Sequence, residues 1–186
     1  MNFSNNTKYA IAFALVSGWA VSTVYFFWDF QFRNVQSFIR ADLLGNSSYF
    51  DETEFTTAAE SIFSNYKNVK NGPYVFSFID TDCPCSKFTN KHIEELKLTY
   101  QGKGIQFVTI KKGESSYFSK IPASPAAAVM DEKGKLIYFG PFSDQAVCGA
   151  GSGFIEPVLD DMLRGTKSRQ MNLLATGCFC RKEIKI

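Results

Sequence analysis

Two cysteines flank one proline in the segment Cys83-Pro84-Cys85, which lies between an apolar run, Tyr74–Ile79, and a helix-like stretch that begins near Ser86. A thiol at this position, where a buried strand passes into a helix, lies against the positive end of the helix dipole. The thiolate is favoured there, and the thiolate is the form of cysteine that is nucleophilic and binds metals. The sequence therefore predicts a domain that presents this turn for sulfur chemistry.

An uncharged run occupies residues 9–28, close to the N-terminus. A helix of about 20 residues spans the hydrocarbon core of a membrane, and Tyr9 and Trp28 stand at its ends, where amphipathic rings favour the interface. A cleaved signal peptide is the alternative. The run is longer than the apolar part of a typical signal peptide, and no small-x-small site precedes a polar start. We therefore predict a transmembrane anchor.

The net charge and the cysteine content limit which partners and which cellular compartment are expected. The chain of 186 residues has a formal net charge of +2, which gives no reason to expect a nucleic-acid partner. Basic residues flank both ends of the anchor, with Lys8 on one side and Arg33 and Arg40 on the other, so they do not decide its orientation. Five cysteines in a small domain fit an oxidising compartment, and we expect the domain to be exported.

The remaining pattern alternates between helix and strand. The predicted elements are a helix over 55–63, a strand at Tyr74–Ile79, a helix at Ser86–Tyr100, a strand over 105–110, a hairpin of Ala126–Met130 with 136–139, and a helix over 154–163. Parallel strands joined by a helix and followed by an antiparallel hairpin imply a mixed sheet covered on both faces. The predicted divisions are a tail at 1–8, the anchor at 9–28, a linker at 29–53, the domain at 54–165 and a cysteine-containing tail at 166–186.

This order of elements resembles the thioredoxin fold, and the resemblance runs from about residue 74 to residue 163. It implies an α/β domain with a mixed sheet and flanking helices, preceded here by one N-terminal transmembrane helix. Cys83 falls where that family keeps its attacking cysteine, and Ser86 falls where it keeps the second cysteine of a C-x-x-C motif. Pro125 matches the cis-proline beside the reactive sulfur, which implies a cis Ser124–Pro125 bond; Pro122 is the alternative, but its distance to the strand fits less well.

The cysteine turn departs from the usual thioredoxin pattern. The family's tryptophan before the first cysteine is Asp82 here; this carboxylate opposes thiolate formation, whereas Lys87 favours it. With Ser86 at the usual resolving position, either Cys85 or another thiol must resolve a mixed disulfide on Cys83. Two cysteines separated by one residue bridge only with strain, which makes such a bond easily reduced.

A closer resemblance covers nearly the whole chain. The anchor, the Asp-Cys-Pro-Cys-Ser motif at 82–86, the glycine-rich stretch 147–154 and the terminal Gly-Cys-Phe-Cys at 177–180 resemble a bacterial family of membrane-anchored thioredoxin-like proteins of unknown function. That family brings no assigned activity. It implies a single-pass protein of the bacterial inner membrane with a periplasmic domain.

The other three cysteines, Cys148, Cys178 and Cys180, leave several interpretations open. A structural disulfide from Cys148 to Cys178 or Cys180 would hold a tail that has no helix or strand of its own. Alternatively, the tail pair relays electrons to or from Cys83. As a third possibility, the two C-x-C pairs supply thiolates to zinc or to Cu(I), although one intervening residue is a poor match to zinc-site spacing.

The sequence thus predicts a membrane-anchored thiol-disulfide oxidoreductase that acts on the thiols or disulfides of other proteins and needs no cofactor. In this hypothesis Cys83 attacks, Cys85 resolves or tunes it, and Pro125 shapes the substrate groove. The alternative is a non-catalytic thioredoxin-like module that binds or delivers a thiophilic metal, zinc or copper, or assists the assembly of a membrane complex.

Overall fold

The computed structural model describes residues 5–47, 49–67, 72–143, 153–166 and 169–182. The chain divides into two compact units, Met1–Asn34 and Val35–Ile186. The first unit holds one helix, α1 (Asn5–Asn34), whose large apolar side chains, such as Trp19 and Phe26, are exposed. Its segment Asn5–Asp29, 25 residues, is long and apolar enough to cross a membrane.

The second unit is a mixed α/β domain. Its longer elements are α2 (Glu52–Lys67), β2 (Tyr74–Ile79), α3 (Ser86–Tyr100), β3 (Gln106–Lys111), β5 (Ala126–Met130), β6 (Leu136–Gly140) and α4 (Ile155–Leu163). Its shorter strands are β1 (Val35–Ser37), β4 (Ala123–Ser124), β7 (Gln170–Met171), β8 (Thr176–Cys178) and β9 (Cys180–Arg181).

The main sheet has five strands in the order β3-β2-β5-β6-β7 within the described residues. Strand β2 pairs in parallel with β3 and antiparallel with β5, with Tyr74 opposite Met130 and Phe78 opposite Ala126. Strands β5 and β6 form the predicted hairpin, and β7 joins β6 in parallel. All six residues of β2 are buried, which is expected of a strand covered on both faces. The predicted mixed sheet is confirmed.

The two faces of this sheet carry separate hydrophobic clusters. Alternating residues of β2 point to opposite sides, so Phe76 and Phe78 belong to one cluster and Val75 and Ile79 to the other. Helix α2 supplies buried side chains to the first cluster, and helices α3 and α4 supply them to the second. The sheet is therefore fixed between helices, and the end of β2 is held in a rigid setting.

From Val35 onward, the segment predicted as a linker is part of the domain, and so are the described residues of the predicted tail. Strand β1 pairs antiparallel with β8, and β9 pairs antiparallel with β4. Phe38 and Phe179 are buried, and their rings meet edge to face with centroids 5.3 Å apart. The expectation that the tail has no strand of its own was wrong, because apolar burial and pairing with distant segments order strands too short to show a sequence pattern.

Candidate functional site

The Cys83-Pro84-Cys85 turn lies where the sequence predicts it, between the end of β2 and the first residue of α3. Cys83 and Cys85 are buried, with 3% and 1% of their surface exposed. The Ser86 N–H donates to the Cys83 carbonyl at 3.0 Å, and the Thr89 N–H donates to the Cys85 carbonyl at 3.2 Å. The second cysteine therefore opens the helix, close to its positive end.

Both cysteines of the turn are bonded to the C-terminal Cys-Phe-Cys segment. Cys83 forms a disulfide with Cys180 and Cys85 forms one with Cys178, with Cα atoms 5.9 and 5.5 Å apart. A bridge from Cys148 to either tail cysteine is thus not the pairing in this structure, and Cys148 itself lies outside the described residues. The pairing follows from β9, which lies beside β4 and brings the tail cysteines to the turn.

The Ser124–Pro125 peptide bond is cis, as predicted, and lies beside the cysteine turn. The Ser124 carbonyl oxygen is 3.6 Å from Cys83 Sγ, and Ser124 is the residue opposite Cys180 in the β4–β9 pair. The Lys182 N–H continues this pairing by donating to the Pro122 carbonyl at 2.8 Å. The tail strand therefore covers the backbone that precedes Pro125.

Asp80 and two serines hold the turn in place. The Ser124 hydroxyl accepts from the Asp80 N–H at 2.8 Å and donates to the Phe78 carbonyl at 3.3 Å, while the Ser86 hydroxyl donates to the Asp80 carbonyl at 2.5 Å. The Asp80 carboxylate forms an ion pair with Lys112 at 2.6 Å. Sequence reasoning missed Asp80; an acidic residue directly after a buried strand was the available signal.

Three sulfur atoms lie close together at the site. The Sγ atoms of Cys83, Cys85 and Cys180 are all within 4.8 Å of one another. At this separation a thiolate on one sulfur is close to the disulfide formed by another, which favours exchange between them. Reduced, the same sulfurs form a set of soft ligands of the kind that zinc and Cu(I) prefer.

A cavity of about 590 Å³ opens beside Cys180. Cys180 is half-buried, whereas Cys83, Cys85 and Cys178 are each less than 5% exposed. The cavity is lined by Asp80, Lys112, Gly113, Ser115, Ser116, Phe118, Ser119, Ile121, Ala123, Ser124, Cys180, Arg181 and Lys182. Cys180 is therefore the most exposed of the four bonded cysteines and the one that lines the cavity.

Tyr49 supports the backbone on which the tail strand lies. Its hydroxyl donates to the Pro122 carbonyl at 3.2 Å, the same carbonyl that receives the Lys182 N–H. Burial raises the pKa of Tyr49, and the positive charge of Arg181 opposes part of that rise. The phenol thus stays protonated and available as a donor.

Fold and site together define an α/β domain in which two C-x-C segments are joined by two disulfides beside a cis-proline. The chain belongs to the family described as "Domain of unknown function (DUF6436)", whose profile matches residues 51–182. The match includes all four bonded cysteines. A search of curated proteins finds no match.

Two solved structures are similar to this chain. An uncharacterised conserved protein from Geobacillus kaustophilus is 17% identical, with a TM-score of 0.49 over 62% of this chain and 78% of that one. The hypothetical protein SMc02350 from Sinorhizobium meliloti 1021 is 16% identical, with a TM-score of 0.51 over 64% of this chain and 82% of that one. At this identity the second likeness concerns the fold alone.

Proposed function

We propose that this chain is a membrane-anchored thiol-disulfide oxidoreductase whose thioredoxin-like domain exchanges disulfides with other proteins through Cys83. The observation that carries the proposal is the cluster of three sulfur atoms within 4.8 Å of one another. Two of them, Cys83 and Cys180, form a disulfide that lies beside the cis Ser124–Pro125 bond. The structure then represents the oxidised enzyme.

The arrangement of elements around the sulfur cluster supports the thioredoxin-like assignment. A parallel pair, β2 and β3, is connected through α3, and an antiparallel hairpin, β5 and β6, follows. The cysteine turn lies between β2 and α3, and the cis-proline directly precedes β5. These are the positions that the resemblance in sequence implies for the attacking sulfur and the substrate groove.

The proposed reaction is a two-step exchange. The Cys83 thiolate attacks one sulfur of a substrate disulfide, the substrate S–S bond breaks, and a mixed disulfide on Cys83 forms as one substrate thiolate leaves. The Cys180 thiolate then attacks Cys83 Sγ and releases the second substrate thiolate. The substrate gains two electrons and the protein loses two, as the Cys83–Cys180 bond. The reverse sequence oxidises a substrate dithiol.

Cys180 takes the resolving role that the sequence suggested for Cys85. Cys83 is bonded to Cys180, which lies on a strand beside it, whereas Cys85 is bonded to Cys178. The N-terminus of α3 favours the thiolate that each cysteine of the turn must become. The Ser124 carbonyl, 3.6 Å from Cys83 Sγ in the oxidised form, is placed to accept the Cys83 thiol proton once the Cys83–Cys180 bond is reduced.

The proposed location is the periplasmic face of a bacterial inner membrane. Helix α1 supplies a segment apolar enough for a single-pass anchor, and a domain with two disulfides fits an oxidising compartment. In spheroplasts, an impermeant thiol reagent added after mild reduction should label the domain cysteines. Labelling that requires lysis of the inner membrane would place the domain on the other side.

The test of the function is turnover of a protein disulfide. Full-length protein in nonionic detergent is given reduced dithiothreitol as electron donor and insulin as substrate. Cys83→Ser should lower insulin reduction to the rate without protein, whereas Cys148→Ser, the same chemical change at the cysteine that takes part in neither disulfide, should retain it. Equal activity of Cys83→Ser and the wild type would refute the proposed role.

A metal-binding module is the second candidate, and the close grouping of the three sulfurs favours it. After full reduction, Cys83, Cys85 and Cys180 would offer thiolates to zinc or Cu(I). Metal content of the reduced, full-length protein after dialysis against either metal separates the candidates. Stoichiometric metal that disappears in Cys83→Ser, together with no insulin reduction by the wild type, would favour the module over the enzyme.

A further inference from the structure

We infer that the cavity beside Cys180 is a binding site for small anionic thiols and their disulfides, and that Cys180 Sγ is the atom at which they exchange with the protein. This inference rests on the proposed function, because it names the redox partner that reacts at the same sulfur cluster. In this inference Cys180 exchanges with small thiols and disulfides, and Cys83 exchanges with protein substrates.

The exposure of the four bonded cysteine residues favours Cys180 as the point of attack. A disulfide is cleaved by a thiolate that approaches one of its sulfurs directly, so the rate depends on access to that sulfur. Of the four bonded cysteines, Cys83, Cys85 and Cys178 are 3%, 1% and 4% exposed, whereas Cys180 is half-buried and lines the cavity. In the oxidised form a small thiol in the cavity therefore reaches Cys180 and displaces Cys83, and Cys83 attacks a protein disulfide only after this bond has been broken.

The size of the cavity suits a small molecule. Its volume of about 590 Å³ lies within the range of small-molecule sites, roughly 300–1,000 Å³. Its lining includes Ser115, Ser116 and Ser119 from the segment after β3, and Cys180, Arg181 and Lys182 from the tail. These serines make part of the lining polar, although the Ser115 and Ser119 hydroxyls also bond locally, to the Tyr117 N–H and the Ser116 carbonyl.

Charge selects anions among small thiols. Three cationic side chains, Lys112, Arg181 and Lys182, line the cavity against one carboxylate, Asp80. Asp80 is already paired with Lys112 at 2.6 Å, so the lining residues keep a formal excess of two positive charges, those of Arg181 and Lys182. Asp42, which is not a lining residue, also interacts electrostatically with Arg181 and offsets part of this excess. The field therefore attracts both the carboxylate of an acidic thiol and the thiolate itself.

A small disulfide, R–S–S–R, oxidises the reduced protein in two exchange steps. The Cys180 thiolate attacks one sulfur, the S–S bond of the small molecule breaks, Cys180–S–S–R forms, and R–S⁻ leaves. The Cys83 thiolate then attacks Cys180 Sγ, a second R–S⁻ leaves, and the Cys83–Cys180 bond forms. The protein loses two electrons and the small disulfide gains them; in reverse, two small thiols reduce the bridge.

The experiment isolates the first step in the full-length Cys83→Ser variant, where the Cys85–Cys178 bond and β9 still hold Cys180 beside the cavity. The variant, in nonionic detergent, is mixed with one of three disulfides of similar size: dithiodipropionate (anionic), dithiodiethanol (neutral) or cystamine (cationic). Acid quenching and peptide mapping give the modified residue and the rate. Rates with the same variant unfolded in urea correct for the intrinsic reactivity of each reagent.

We expect the adduct on Cys180, and an anionic-over-cationic rate ratio on the order of tenfold at low salt that shrinks at high salt. Arg181→Gln with Lys182→Gln should remove most of this ratio. The matched control is Lys133→Gln with Lys135→Gln. These exposed lysines lie in the β5–β6 turn, which adjoins Met130 at the end of the sheet away from the cysteine turn.

Two results would overturn the inference. One is a corrected rate that does not depend on reagent charge, or that the lining variants leave unchanged. The other is an adduct on Cys85 or Cys178 in place of Cys180. Either result leaves the insulin-reduction test of Cys83 standing, whereas loss of the proposed function would appear in that test even if Cys180 reacted as described here.

Discussion

Ser124 connects three parts of the site through its side chain and its backbone. Its hydroxyl bonds to the backbone at Phe78 and Asp80, its carbonyl oxygen lies beside Cys83 Sγ, and its peptide bond to Pro125 is cis. Ser124 is 3% exposed, so water cannot replace these contacts. At the residue scale, the geometry of the cysteine turn depends on this one hydroxyl and on the Asp80 backbone that it binds.

Replacing Ser124 with alanine should destabilise the oxidised domain by about 1–3 kcal/mol, because the buried Asp80 N–H loses its acceptor. Urea unfolding with the disulfides intact measures the change. Ser64→Ala is the matched control, since Ser64 is exposed and bonds only locally to the Ser61 carbonyl in described contacts. The expected control change is within about 0.5 kcal/mol. Equal effects would show that the Ser124 hydroxyl does not hold the turn.

Tyr100 gives the domain a dependence on alkaline pH. Burial, followed by the hydrogen bond its hydroxyl donates to Asp160 at 3.0 Å, raises the pKa of Tyr100 from 10.0 to about 12. Between these values the folded state holds a proton that the unfolded state has released, so stability falls as pH rises through this window. The contribution is fully present below pH 10.

A difference titration of tyrosinate absorbance, wild type minus Tyr100→Phe, tests this shift directly. We expect a transition near pH 12 and a shallower loss of stability above pH 10 in the variant. A difference transition at the ordinary tyrosine pKa would contradict the assignment. The other seven tyrosines cancel in the subtraction, because the chain has eight.

Among the elements, those with long apolar patterns were predictable and those without were not. The bounds of β2 and α3, Tyr74–Ile79 and Ser86–Tyr100, agree with the sequence prediction because each has a clear apolar pattern and a marked end. Strands β8 and β9 have three and two residues and form only against β1 and β4. No local pattern encodes such pairing, since both partners are distant in sequence.

The same reasoning explains what was missed at the site. The cysteine turn and the cis-proline each carry a local motif, so the sequence indicates both positions. The pairing of Cys83 with Cys180, and the ion pair between Asp80 and Lys112, depend on register between segments that only the folded chain defines. Connectivity among several cysteines cannot be deduced from their spacing alone.

Phe179 should be the main apolar support of the tail. It is 5% exposed and packs edge to face against Phe38, between the two bonded tail cysteines. Phe179→Ala should cost about 3–5 kcal/mol of stability and hasten reduction of both bridges, because the tail loses its buried contact. Leu174 lies in the same tail, but its side chain is 62% exposed, so Leu174→Ala should change the stability little. Similar denaturation midpoints for the two variants would argue against this role.

At the scale of the whole molecule, the two disulfides close nearly the same loop. Their sequence separations are 97 and 93 residues, and the second bridge lies inside the first. In the chain-entropy account, one such loop stabilises the folded state by roughly 4–5 kcal/mol. Once one bridge exists, the other closes only a short ring, which in the same account stabilises the folded state by about 2 kcal/mol.

The stabilities of the bridge variants should therefore be strongly non-additive. Removing either pair, by Cys83→Ser with Cys180→Ser or by Cys85→Ser with Cys178→Ser, should cost about a third of what removing all four costs. Urea unfolding of these three variants and of the wild type gives the four free energies of unfolding that the comparison needs. Two equal, additive losses would show that each bridge acts by local contacts and not by closing the long loop.

The most direct test of the central claim is to trap the mixed disulfide on Cys83. Reduced full-length Cys180→Ser lacks the proposed resolving sulfur, so it should accumulate a bond between Cys83 and insulin that acid quenching and peptide mapping locate. The bond should be absent from Cys83→Ser with Cys180→Ser, which retains Cys85 and Cys178. If no bond forms on Cys83 while an alkylating reagent does react there, or if the bond lies on Cys85 instead, thiol exchange through Cys83 is contradicted.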